Sequence, residues 1–233
     1  MNLPNNEPTN RQIPFTTDAD FAVQLSVKSD FEDIAAHLLK NGFRNRGRLA
    51  YSFQKGQRIL EILPFGSEAK AITEFELPEY QLAFEDNRLL VVKHSDGRQV
   101  SLRVITVATL VVLKLFAYAD KPTERRKDLD HLAYLLEYFG DEGEKYGLMT
   151  QRADGEPTLV LYELASAHLL GREVAMKRSH FLVQQATQKM IHLLETRINE
   201  ILGTQSRLLN DEHKFLLSAR LHILSDYLNG KYE

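Results

Sequence analysis

TTDADFAVQL, residues 16–25, sets two carboxylates one residue apart at the head of a run that otherwise reads as a buried strand. Side chains alternate between the two faces of a strand, so Asp18 and Asp20 share one face and stand side by side. Adjacent carboxylates repel each other unless a cation sits between them. The plainer alternative places Asp18 in a turn with Thr16 and Thr17, where aspartate is common, and leaves Asp20 as a solvated edge residue. What lies next to this strand decides between the two.

A third acidic residue bears on that choice. In RILEILPFG, residues 58–66, Glu61 stands alone among Ile59, Leu60, Ile62 and Leu63, a run that reads as a strand buried on both faces. An unpaired buried carboxylate is costly and requires a metal, a basic partner or an opening to solvent. If this strand lies beside the first, Glu61 completes a three-carboxylate cluster with Asp18 and Asp20. Oxygen ligands of this kind suit Mg²⁺, which is commonly shared with substrate phosphates. The alternative is an edge strand whose Glu61 faces water or pairs with Arg58 or Arg48.

Outward from these two strands the pattern is α+β up to about residue 150 and helical beyond it. A helix over Phe31–Leu39 follows the first strand, Phe15–Leu25, with Ser29 and Glu32 at capping-box spacing and Gly42 at its end. Strands over Leu49–Gln54 and Arg58–Leu63 flank Lys55-Gly56-Gln57 as a hairpin. Leu89–Lys93 and Gln99–Val104 flank Ser95-Asp96-Gly97 as a second. Thr106 caps a helix over Leu110–Tyr118, and another spans Asp128–Phe139. Helical spacing then runs through Leu159–Leu170, Phe181–Leu202 and Leu208–Leu228. The implied organisation is a flexible arm over residues 1–12, an α+β domain over 13–150 and a helical region over 151–233.

Composition excludes several classes. The 233-residue chain is 43% hydrophobic and 26% charged, as ordinary globular proteins are. Its net charge of -3 offers no overall cationic field for nonspecific nucleic-acid binding. Without cysteine there is no disulfide, thiolate metal site or cysteine nucleophile. Residues 1–12 have no signal-peptide character, and the apolar run Val104–Ala119 is too short for a membrane span, so a cytoplasmic protein with no membrane partner is expected.

Four runs carry a resemblance: TTDADFAVQL, HLLKNGF (37–43), LEILPFG (60–66) and VLKLFAYADKPTERRKDLDHLAYLL (112–136). In this order and spacing the chain resembles the nucleotidyltransferase AbiEii/AbiGii toxin family, within the polymerase-beta-like nucleotidyltransferase superfamily, over roughly residues 11–170; AHLLGREV (167–174) is also similar. The resemblance implies a mixed sheet with flanking helices that binds Mg²⁺ and a nucleoside triphosphate and transfers a nucleotidyl group to an RNA or protein acceptor. It further implies a toxin partnered by an antitoxin. Asp18 and Asp20 match the metal-binding pair and Glu61 the third carboxylate, which helps the acceptor hydroxyl lose its proton. Lys114 and Asp128 match recurrent positions of the family's following helices, and Thr17, Lys114, Arg125, Arg126, Lys127 and Asp128 are the expected nucleotide-binding residues, Lys114 and one or more of Arg125, Arg126 and Lys127 offsetting triphosphate charge. Read by themselves, Lys114 is equally a snorkelling lysine, Asp128 a helix N-cap and His131 a surface or packing residue.

Two departures accompany the match. Glu61 stands where Asp is commoner. The glycine turn that receives the triphosphate in that superfamily has no counterpart, because no glycine precedes Asp18. The fold's first strand and helix are therefore expected to be missing from the chain as given, which leaves a catalytically degenerate binding protein as the alternative. A scaffold working through its C-terminal helices, with Arg172, Lys177, Arg178, His180, Lys189 and Arg197 as a modest basic strip, is a third reading; a solvated helix face explains the same residues.

Overall fold

The computed structural model describes residues 18–66, 79–121, 123–150, 162–177, 188, 191–192 and 211–231. The chain divides into two compact units, Met1–Tyr80 and Gln81–Glu233.

In the first unit, strand β1 (Asp18–Gln24) leads into helix α1 (Lys28–Lys40), followed by β2 (Arg44–Asn45), β3 (Ser52–Lys55) and β4 (Arg58–Phe65). The four strands form one mixed sheet in the order β1-β4-β3-β2, with β1 parallel to β4 and the other pairs antiparallel. Val23 and Leu25, Leu60 and Ile62, and Phe53 form the sheet's share of a small core with Phe31, Ile34 and Leu38 of α1. The three helical residues recur at the spacing that lines one face of a helix. The expected strands and the first hairpin are present, but β1, read from the sequence as a buried strand, lies at the edge of the described sheet and is mostly exposed, with Asp20 exposed and Asp18 half-buried. Lys55 pairs with Arg58, leaving a two-residue loop in which Gly56 has φ +60° and Gln57 has no positive φ, the pattern of a type II′ turn.

Both ends of α1 have a clear cause. The helix begins earlier than the Ser29 and Glu32 spacing indicates: Val27 is the N-cap, and the Asp30 carboxylate accepts hydrogen bonds from the Ser26 and Val27 amides, each at 3.1 Å. Val27 has no acceptor to return, so the box is one-sided. At the other end Gly42, with φ +84°, donates to the Leu39 carbonyl and Phe43 to that of Leu38, a Schellman closure.

The second unit's strands, β5 (Asn87–Lys93) and β6 (Gln99–Ile105), follow the short helix α2 (Glu79–Glu85) and make a separate two-stranded antiparallel sheet. Helices α3 (Val107–Asp120), α4 (Arg126–Tyr138), α5 (Glu142–Thr150), α6 (Tyr162–Ala175) and a last helix, α7 (Asp211–Leu228), complete the described elements. Thr106 caps α3, as its position suggests, accepting from the Thr109 amide. Val111, Val112 and Leu115 of α3, Leu132 and Leu136 of α4, Leu170 and Val174 of α6, and Leu221 and Leu224 of α7 fill one core, so helices on both sides of residue 150 share it. Gly171 lets α6 approach α7: a Cβ there would collide with the Tyr227 ring.

A polar clip ties the start of this core together. The Asp86 carboxylate accepts hydrogen bonds from the Thr106 and Thr109 hydroxyls and from Lys177 Nζ at 2.7 Å. Burial works to raise the Asp86 pKa, but those hydrogen bonds and the Lys177 charge outweigh it and hold the group below 3.8.

The fold is thus mixed α+β, with only helices described after β6. No helix among the described residues is long and apolar enough to cross a membrane. The arm over 1–12, most of the expected helix over Phe181–Leu202, and the basic residues Arg178, His180, Lys189 and Arg197 lie outside the described residues.

Candidate functional site

Chain register brings three acidic residues of the first unit, Asp18, Asp20 and Glu61, to one face. Because β1 and β4 are parallel neighbours, with Asp18 opposite Ile59 and Asp20 opposite Glu61, all three carboxylates project from the same side of the sheet. Leu60, Ile62 and Val23 take the other side, toward α1. The row continues into β3, where Ser52 pairs with Glu61. Ser52 is fully buried, and its hydroxyl donates to Glu61 Oε1 at 3.5 Å, the outer limit of a hydrogen bond. Glu61 is half-buried, neither sealed in a core nor fully solvated.

Register supplies neighbourhood, and side-chain torsions decide convergence. Among the described residues no group of three or more His, Asp or Glu side chains is gathered into a metal-ligating cluster. The three candidate donors are carboxylates carried on paired strands, a ligand type that suits hard cations such as Mg²⁺. Thr17, placed with the nucleotide by the resemblance, lies outside the described residues.

The remaining candidates belong to the second unit, where α3 and α4 bring two of them into direct contact. Lys114 Nζ lies 3.0 Å from Asp128 Oδ1 and 2.9 Å from His131 Nδ1. The Lys114 side chain is 18% exposed and that of Asp128 only 7%, so Lys114 turns inward to a partner and does not snorkel. Asp128 is not the N-cap of α4; Arg125 holds that position and Asp128 sits in the first turn, where a carboxylate also meets the positive end of the helix. Arg125 Nη1 is 3.9 Å from Asp128 Oδ2, too far for a hydrogen bond, and Oδ2 is buried with no hydrogen-bond partner among the described residues. Lys127 is exposed, and Arg126 opens the helix.

His131 belongs to this cluster, although the sequence reading set it aside. The available signal was its spacing of three from Asp128, which puts both residues on one face of α4. Burial, and next the Lys114 charge, push the His131 imidazole below its ordinary value of 6.5, against the pull of Asp128. With the ammonium donating to Nδ1, the neutral ring carries its proton on Nε2. Lys114, Asp128 and His131 therefore form a charge-paired unit with one neutral donor at its edge.

No family model, curated protein or solved structure matches the chain.

Proposed function

We propose that the chain has a nucleotidyltransferase-like fold and is an Mg²⁺-dependent transferase that moves a nucleotidyl group from a nucleoside triphosphate to an RNA or protein acceptor, as the toxin of a toxin–antitoxin pair. The observation that carries this reading is the parallel register of β1 and β4, which sets Asp20 beside Glu61 and Asp18 on the same face. Asp18, Asp20 and Glu61 would hold the metal. When bound, Mg²⁺ would offset the negative charge on the phosphoryl oxygens during in-line displacement. Glu61 accepts the proton of the acceptor hydroxyl as its oxygen bonds to the α-phosphorus and pyrophosphate leaves. Ser52, hydrogen-bonded to Glu61 Oε1, restricts how that carboxylate turns. Arg125 and Lys127 are exposed cations of the kind that bind phosphate.

One observation favours the non-catalytic alternative, in which the fold binds nucleotide or a partner without transfer. Lys114, assigned to the nucleotide by the resemblance, already spends its charge on Asp128 and His131. Mn²⁺ titration followed by electron paramagnetic resonance tests the metal site itself. Depletion of the free Mn²⁺ signal by the native chain, lost in Asp18→Asn and Asp20→Asn at unchanged circular dichroism, supports the cradle. Equal uptake by native and variant chains overturns it.

A further inference from the structure

The ribbon formed by β5 and β6 presents apolar surface where an isolated ribbon should have little. In the antiparallel register Leu90 faces Leu102 and Val92 faces Val100, with Val104 opposite Arg88, so five aliphatic side chains share one face. These five are 37–50% exposed. On the other face Leu89 and Val91 are exposed beside Lys93, Ser101 and Arg103. Among the described residues the sheet has two strands, so each strand has an outer edge with no described strand beside it. A lone hairpin of this kind is marginally stable in water, and a contiguous exposed apolar patch marks a contact surface.

Charge identifies the occupant. Between residues 87 and 105 the chain carries Arg88, Lys93, Arg98 and Arg103 against one carboxylate, Asp96, and Arg98 already takes that carboxylate at 2.7 Å. Two copies of the ribbon laid face to face would set these cations against each other. RNA is matched by the charge but not by five aliphatic side chains, and neither β5 nor β6 carries a Phe, Tyr or Trp on which a base would stack. We propose that the ribbon is a docking surface for an extended acidic segment of another polypeptide. That segment adds as a strand to an edge of the ribbon, continuing the Leu90, Val92, Val100, Leu102 and Val104 face with aliphatic side chains and placing its carboxylates on the opposite face, that of Lys93 and Arg103. Main-chain hydrogen bonds supply affinity and the alternating side chains supply specificity.

The test uses the full chain and a fluorescent octapeptide of alternating valine and glutamate. A valine–lysine octapeptide and a single-stranded RNA octamer serve as comparisons, read by anisotropy and by hydrogen exchange of the ribbon amides. The expected result is binding of the acidic peptide at least about tenfold tighter than the basic one, weakened by salt, with slowed exchange along β5 or β6. Leu90→Ser with Leu102→Ser removes the apolar contact, and Lys93→Glu with Arg103→Glu removes the charge; each pair should weaken binding at least about tenfold while the melting of the helices stays unchanged. Preference for RNA, protection that appears on self-association without peptide, a cross-link from the ribbon to this chain's own first unit, or no discrimination between the peptides would each overturn the proposal.

Discussion

Replacing Lys114 with methionine removes the ammonium that holds Asp128 while keeping most of the side chain's volume. The pair is 3.0 Å apart, with side chains 18% and 7% exposed, and Asp128 Oδ2 has no other hydrogen bond from the described residues to fall back on. Removing one partner of such a buried pair costs about 3–5 kcal/mol, because the other charge stays behind unpaired. Some of this is recoverable. Arg125 Nη1 lies 3.9 Å from Oδ2 on a half-exposed side chain, and swinging it inward restores about 1 kcal/mol, the scale of an exposed pair. The expected net loss is therefore about 2–4 kcal/mol. Urea unfolding followed by circular dichroism, with hydrogen exchange of α3 and α4 amides assigning the loss to the second unit, measures it. Lys114→Met combined with Asp128→Leu should be more stable than Lys114→Met alone, since no carboxylate is then buried. A single-variant loss under about 1 kcal/mol, or a double variant less stable than the single, would refute the reasoning.

His131 titrates below 6.5 in the fold, so its contribution to stability is present above pH 6.5 and fades as pH falls through the lower folded value; Lys114→Met should return the ring's NMR titration upward, and an unmoved midpoint would contradict the contact. Asp86 is likewise held below 3.8, so the clip's contribution is present above pH 3.8 and fades as pH falls through the folded value, whereas an Asp86→Asn chain should lose less on acidification; parallel acid titrations of the two chains check this. Gly171→Ala should destabilise the second unit by about 1–2 kcal/mol, the clash with the Tyr227 ring exceeding the gain in helix propensity, and a rise in thermal midpoint would contradict the close approach.

Local chemistry was readable from the sequence wherever a few neighbouring residues decide the conformation. Gly56 fixes the first hairpin, Thr106 starts α3 and Gly42 closes α1 because each acts on its own turn. The start of α1 was displaced because Asp30 at the third helical position reaches back to the Ser26 and Val27 amides, a bond that competes with the Ser29 spacing. Helix α5 went unread since EGEKYGLMT carries two glycines and little apolar periodicity; Tyr162 on α6 donates to its Glu142, a partner remote in sequence.

In the candidate site, Asp18 and Asp20 shared a face by alternation alone, but their relation to Glu61 depended on strand order. A parallel pairing across the intervening helix and hairpin is a long-range choice that no local pattern records. The Lys114 contact with Asp128 is of the same kind, since only the packing of α3 on α4 turns an ambiguous lysine toward a particular carboxylate. His131 needed that contact first. Its helical spacing from Asp128 was visible, but a meaning for it was not.

Transfer of label from α-labelled nucleoside triphosphates, with Mg²⁺ and a mixture of cellular RNA and protein as acceptors, addresses the central claim most directly. The account predicts label covalently attached to a macromolecule by the native chain, abolished by Asp18→Asn, Asp20→Asn and Glu61→Gln at unchanged stability. Transfer that persists in all three variants, or no transfer by the native chain with any of the four triphosphates, would contradict it.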